Sequence, residues 1–418
     1  MSVILSINAG SSSVKVSVFL SELRGSPRQI AEAQVSGLTA PPAKLTYKRA
    51  GADSGIKNKE VEKPIKAQGD AFSLLLDTLV GDADLKEIST RDAIFIACHR
   101  IVHGAGYKDS QLITPDTYHH LEELSELAPL HNSAALAIVD ACMKELPQAS
   151  NVACFDTVFH TTIPAHIYTY PIDPDVAKKN QLRKYGFHGL SYSFITRSVA
   201  EFLGKEAKEL NMIALHLGSG ASACAIKGGH SLDTSMGLTP LAGLPGATRS
   251  GSIDPSLVFH YTSTAGKLAP ASTEQLHISE AEQILNKESG WKALTGTTDF
   301  GSIASSDDPQ HKLAFDLFVD RICGFVGSYY VSLEGQVDAL VFAGGIGEKS
   351  GKLRRAVVQR AACLGFAISD SANGQEITDI VQDIGAEGAK HRVLVCQTDE
   401  QFEMARMCAT KEDLWGDA

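Results

Sequence analysis

Three glycine-rich segments of this chain carry the residue types that hold phosphate. NAGSSSVK (8–15) groups Asn8, Ser11, Ser13 and Lys15 around a Gly/Ser turn; HLGSGAS (216–222) does the same with His216, Leu217, Gly218, Ser219 and Gly220; AGGIGEK (343–349) offers Gly345, Ile346, Gly347 and Glu348. Glycines let backbone N–H groups approach an anion closely, and serine hydroxyls add further donors. None of the three satisfies GxxxxGK[ST], since no glycine precedes Lys15 and Val16 follows it. Gly218, Gly220 and Ala223 do satisfy GxGxxA, but no amphipathic helix follows them, which argues against a dinucleotide fingerprint. Singly, each turn reads as structural. Jointly, two glycine-turned hairpins and a glycine turn that opens a helix read as a grip on a polyphosphate.

Four charged or titratable residues lie in other segments. Arg249 sits in GLPGATRSGSIDP (243–255). A surface arginine is ordinarily solvated, yet an ordered loop so rich in Gly and Pro implies that something is positioned there. Arg100 ends the apolar run DAIFIACHR, beside His99 and close to His103. An arginine leaving a buried strand needs an anionic partner, either a substrate carboxylate or a structural ion pair. His188 in YGFHGLSY, taken alone, reads as a packed histidine. Asp156 closes NVACFD, a strand-end position used both by active-site acids and by helix N-caps.

The elements that must position these residues can be read from periodicity. After Gly10, Val14, Val16 and Val18 alternate with Lys15, Ser17 and Phe19, so the first segment is strand, turn, strand. Residues 211–229 repeat that plan when Ile213 is aligned on Ile4, an internal echo suggesting two similar halves. The polar stretch 36–66 reads as an exposed hairpin or loop. Residues 92–106 and 151–160 read as buried strands, and 133–147 as a helix ended by Pro147. Ser279 and Glu282 fit a capping box. Within 309–334, Leu313, Leu317, Phe318, Ile322, Phe325, Val326, Tyr329, Tyr330 and Leu333 recur at three- and four-residue steps, the core stripe of a long helix. Residues 338–366 read as strand, Gly-rich turn, helix.

Composition excludes several classes. At 418 residues, 44% hydrophobic and 21% charged, the chain is long enough for two α/β domains. A formal net charge of -11 argues against nucleic-acid partners and anionic membrane surfaces. The eight cysteines include no CxxC pair and read as buried thiols of a reducing compartment. Neither a signal peptide nor an apolar run of the ~20 residues that a membrane span needs is present, so the expected location is cytoplasmic.

NAGSSSVK, HRIVHG, FDTVFH, YGFHG, HLGSGAS, GLTPLAGLPGATRSGSIDP, FAGGIGE and TDE, in that order along nearly the whole chain, resemble the acetate kinase family of the actin, sugar kinase and heat-shock chaperone ATPase superfamily. The resemblance implies two duplicated ribonuclease H-like α/β domains, mixed sheets flanked by helices, around a central cleft. It divides the chain into 1–160, completed by 398–418, and 161–397, with most nucleotide-binding residues in the second. It implies a homodimer that transfers phosphate between ATP/ADP and acetate/acetyl phosphate with Mg2+, for which Mn2+ is a possible substitute. Carried over by motif, Asn8 and Glu400 are metal-side residues; Ser11, Ser13 and Lys15 bind phosphate; Arg100 binds the acetate carboxylate; Arg249, His188 and Asp156 are catalytic. His216 to Gly220, Asp299 and Gly345 to Glu348 bind the nucleotide. Four positions depart from the family pattern: Ser219 replaces Asn, Gly301 replaces Arg, Lys349 replaces Asn, and Gln401 replaces the acid after Glu400. Three of them lie on the nucleotide side. Pyrophosphate/phosphate in place of the nucleotide, and propionate or butyrate in place of acetate, therefore stay open; a sugar kinase or a non-catalytic nucleotide-gated module is a more remote reading.

Overall fold

The computed structural model describes residues 1–10, 12–52, 55–65, 67–124, 129–261, 264–270, 272 and 278–415, with backbone alone for 129–133. Ser11 lies outside the described residues. The chain divides into two compact units, Met1–Val158 with Asp399–Ala418, and Phe159–Thr398.

In the first unit β1 (Ser2–Ala9), β2 (Ser13–Ser21), β3 (Arg28–Ser36), β4 (Lys44–Arg49), β5 (Gly55–Glu60), β6 (Ile94–Ile101), β7 (Gln111–Leu112) and β8 (Ser150–Phe155) form one sheet, ordered β5-β4-β3-β2-β1-β6-β8-β7. β1 pairs antiparallel with β2 and parallel with β6, which pairs parallel with β8. Strand alternation sends Val3, Leu5 and Ile7 into a core shared with Phe72, Leu75 and Leu76 of the helix Gln68–Val80 and with Ile138 and Cys142 of the helix Pro129–Glu145. Ser6 points the other way, where its hydroxyl donates to the Gln401 carbonyl at 2.8 Å, and the helix Glu400–Thr410 covers that face. The polar stretch 36–66 contains β4 and β5, a hairpin whose outer strand is largely exposed.

In the second unit β9 (Met212–Leu217), β10 (Ala221–Lys227), β11 (His230–Thr234), β12 (Ala339–Ala343), β13 (Val381–Asp383) and β14 (Arg392–Cys396) are ordered β11-β10-β9-β12-β14-β13. The block β11-β10-β9-β12-β14 repeats β3-β2-β1-β6-β8, with the same antiparallel hairpin followed by parallel neighbours. The internal echo is thus a repeat of topology. Ser279 and Glu282 form the capping box of the helix Glu280–Lys287.

Three expectations need correction. The helix Pro309–Ser332 buries Phe318, Ile322, Val326 and Tyr329, but Leu313 is 53% exposed. Leu313 lies five residues, about 140° around the helix, from Phe318, off the stripe that faces the sheet. Leu317, Phe325 and Tyr330 flank the stripe half-buried. The Gly-rich turn after β12 is itself a short helix, Gly344–Lys349, entered through Gly344 at φ 74°, where a Cβ would lie 2.8 Å from the Leu217 carbonyl oxygen. Six cysteines are buried as expected, but Cys323 is half-buried and Cys363, in a surface turn, is exposed. Among the described residues no helix is long and apolar enough to cross a membrane.

Candidate active site

In the first unit, β6, β8 and the helix Glu400–Thr410 bring three charges together. Arg100, the penultimate residue of β6, points Nε at both oxygens of Asp156 at 3.2 Å and Nη2 at Oδ2 at 2.8 Å. Its Nη1 donates to Glu400 Oε2 at 2.8 Å, and Asn8 Nδ2 donates to the same oxygen at 3.4 Å. Asp156 is 1% exposed and directly follows β8, while Glu400 is the first residue of its helix. Burial alone would ease the proton off Arg100, but Asp156 and Glu400 more than offset this and hold the guanidinium above its ordinary value. The structure therefore supplies the ion pair, and these bonds leave part of the guanidinium's donor capacity unused. A guanidinium has five N–H groups, and these bonds use Nε and one each of Nη1 and Nη2.

The cluster of Arg100, Asp156 and Glu400 carries one net negative charge. Among the described residues no group of three or more His, Cys, Asp or Glu could hold a metal by itself. Asn8 and Glu400 nevertheless offer hard oxygen donors beside the net negative charge. That donor set fits Mg2+, which is commonly held by one or two carboxylates and completed by water and phosphate. Lys15 on β2 is engaged elsewhere, 3.3 Å from Glu32 across the hairpin. Gln401 has a structural use: its Nε2 donates to the Ser6 carbonyl at 3.0 Å and its Oε1 accepts from Ser17, fastening the Glu400 helix to β1 and β2.

In the second unit, His188 and Arg249 converge on the β9–β10 turn. A Cβ built on Gly220 would meet Arg249 Nη1 at 3.0 Å and His188 Nε2 at 3.8 Å. The loop carrying Arg249 is anchored by backbone bonds from Ala247 to the Ser219 carbonyl (2.8 Å), from Gly246 to the Arg249 carbonyl (3.0 Å) and from Ser250 to the Leu285 carbonyl (3.0 Å). His188, in a left-handed conformation at φ 59°, precedes the helix Gly189–Leu203. Its ring stacks on His216 at 4.1 Å and its Nδ1 lies 2.8 Å from Ser222 Oγ. Lys287, an exposed residue at the end of the helix Glu280–Lys287, has its ammonium held below the ordinary range by partial desolvation and by Arg249 nearby.

A third set lines an open pocket of about 570 Å3 in the same unit: Ser219, Asp299, Gly345 and Ile346, together with Gly301 and Lys349. Asp299 caps the helix Phe300–Ser305 by accepting from the Gly301 N–H at 2.9 Å. The other nucleotide candidates do not line this pocket. Leu217 is buried in the core, Gly218 and Gly220 shape the turn, and Gly347 packs within its helix. Glu348 Oε1 accepts from the Gly344 and Thr398 N–H groups, and burial raises its carboxyl above the usual range. Sequence reasoning missed Ser191, Tyr192, Ser222 and Lys287. Ser191 and Tyr192 follow His188 by three and four residues, a helical turn that could have marked them; Ser222 is the cross-strand partner of His216, a register that no single segment reveals.

Two mixed α/β units with the same strand plan, one of them with Arg249 and His188 at a glycine turn and an open pocket lined by Ser219, Asp299 and Ile346, define a duplicated α/β protein. The model of the acetokinase family matches residues 3–406, and the chain belongs to that family. It is 60% identical to a probable acetate kinase of Chaetomium globosum, over 99% of both chains. Among solved structures it resembles the acetate kinase of Porphyromonas gingivalis, with 32% identity, a TM-score of 0.82 and coverage of 98% of this chain and 100% of the other. A propionate kinase of Francisella tularensis subsp. tularensis SCHU S4 gives 32% identity, a TM-score of 0.82 and coverage of 97% and 99%.

Proposed function

We propose that this chain is an acetate kinase, transferring the γ-phosphoryl group of ATP to acetate, reversibly, to give acetyl phosphate and ADP. The observation that carries this reading over an alcohol kinase is the state of Asp156. Its buried carboxylate is committed to the Arg100 guanidinium, which makes it a poor general base. A hydroxyl acceptor needs such a base. A carboxylate, with a pKa of about 4, is already anionic and needs none. In the proposed step a carboxylate oxygen attacks the γ-phosphorus in line, the bond to the bridging oxygen breaks, and ADP leaves with that electron pair.

The two remaining Arg100 N–H groups orient the acceptor carboxylate. Arg249 and His188 meet the charge that gathers on the equatorial phosphoryl oxygens. Asn8 and Glu400 would hold Mg2+, which when bound neutralises phosphate charge. Ser13, Lys15 and Ser11 are assigned to the phosphoryl side, and His216 to Gly220, Asp299 and Gly345 to Glu348 to the nucleotide. The open pocket at Ser219, Asp299 and Ile346 supports a nucleotide donor over pyrophosphate, which would leave it unused. Propionate is a second acceptor to consider, because the matched propionate kinase covers nearly the whole chain. A homodimer belongs to the same reading; exposed Leu257, Phe259 and Tyr261 on one short helix support it, and light scattering would measure it.

The test is a donor and acceptor panel: ATP with acetate, propionate, butyrate and sugars, and acetyl phosphate with ADP or phosphate. Acyl phosphate formation from ATP and acetate is expected. Phosphorylation of sugars without phosphorylation of carboxylates would refute the reading, and turnover of acetyl phosphate with phosphate but not ADP would replace the donor.

A further inference from the structure

Behind His188 runs a chain of hydroxyls that the phosphoryl-transfer reading does not use. Ser222 Oγ lies 2.8 Å from His188 Nδ1 and 2.6 Å from the Tyr192 hydroxyl. Ser222 and Tyr192 are both 0% exposed, so their protons must be placed within the protein. Burial, reinforced by nearby Cys224, holds the Tyr192 phenol well above its ordinary value, so it keeps its single proton. The buried hydroxyl must donate that proton to an acceptor, and Ser222 Oγ at 2.6 Å is the one it meets, so the phenol proton goes to Ser222 Oγ. The single Ser222 proton then goes to His188 Nδ1. In a neutral imidazole an accepting Nδ1 leaves the proton on Nε2, the nitrogen on the Gly220 and Arg249 side.

We infer that Tyr192 and Ser222 form a positioning relay that fixes His188 as its Nε2–H tautomer, so that the ring turns a donor and not a lone pair toward the side where Arg249 lies. The reverse arrangement would have Nδ1–H donate to Ser222 and Ser222 donate to Tyr192, stranding the phenol proton in the core. His216, stacked on the ring, is held by its own hydroxyl: its Nδ1 is 2.7 Å from Ser191 Oγ, which is 2.8 Å from Thr398 Oγ1. The catalytic consequence rests on the proposed role of His188 at a phosphoryl oxygen, because a donor there meets developing negative charge whereas a lone pair repels it.

The experiment is long-range 1H–15N NMR of the imidazoles at neutral pH, with His188 assigned by its loss in His188→Gln, alongside kinetics of Tyr192→Phe and Ser222→Ala. In the unsubstituted protein Nε2 should be pyrrole-like and Nδ1 pyridine-like. Tyr192→Phe keeps the ring and removes only the hydroxyl; the two tautomers should then mix, and kcat should fall roughly tenfold to a hundredfold while KM for both substrates stays within about twofold. Ser222→Ala should also lose the single tautomer and guards against a folding defect in the first variant. An unchanged Nε2–H tautomer in both variants overturns the relay. A tautomer that shifts while kcat does not upholds the relay and overturns the phosphoryl role of His188.

Discussion

Arg100 and Arg249 are the same residue type in different surroundings. Arg100 is matched by Asp156 and Glu400; Arg249 stands near Lys287, a second cation, at a glycine turn. The sequence could not choose between ion pair and substrate site for Arg100, because the choice depends on Glu400, which is 300 residues away in the chain. Their replacements should differ accordingly. Arg249→Ala should lower kcat by about 10²–10³, the usual cost of one preorganised donor to transition-state charge. Its thermal midpoint should hardly move, since backbone bonds hold the loop. Near-normal turnover in that variant would sink its assignment. Arg100→Ala should raise KM for acetate and also destabilise the protein by about 3–5 kcal/mol, because two carboxylates lose their counter-charge. Adding Asp156→Asn should recover part of the stability in urea titrations without recovering acetate binding. Equal recovery of both would mean that Arg100 is structural only.

At the level of elements, the glycine-turned hairpins were readable because a period of two survives in Val14, Val16 and Val18 and because the same plan recurs near residue 213. What periodicity cannot carry is which segment meets a turn from outside. The 243–255 loop reaches the β9–β10 turn through Ala247 and Ser219, and that contact gives Gly220 its meaning. A Cβ at position 220 would come within 3.0 Å of Arg249 Nη1, the far end of a flexible side chain. Gly220→Ala should therefore cost little stability, because the guanidinium can swing aside. It should still lower kcat severalfold or more by moving the donor off its mark. Thermal denaturation with steady-state kinetics separates the two effects; a variant that loses stability but keeps its kcat would place the constraint in the backbone of the turn.

Over the whole molecule the same economy of buried polar groups sets the response to acid. Each unit encloses a neutral histidine: His99 in the first, 2% exposed with Nε2 2.9 Å from Asn151 Oδ1, and His160 in the second, 0% exposed between Ser231 Oγ and the Phe187 carbonyl. Burial dominates both shifts and drives each imidazole down to about 4, against the opposing pull of its hydrogen-bond acceptor. Above the unfolded value of about 6.5 the ring is neutral in both states and stability is at its full value. Between about 6.5 and 4 the unfolded chain takes up a proton that the folded chain refuses, so stability falls as pH is lowered, at up to about 1.4 kcal/mol per pH unit for each histidine. The loss from each levels off below about 4, where the folded ring also protonates. The sequence marks neither residue for this role, since burial and not side-chain type displaces the titration. Replacing His99 by Gln, which keeps a donor toward Asn151 and cannot titrate, should flatten the pH dependence of unfolding of the first unit in this window by about one histidine's share. Urea midpoints measured from pH 7 to 4.5 in the two proteins give the comparison, and parallel curves would show that His99 takes up its proton equally in both states.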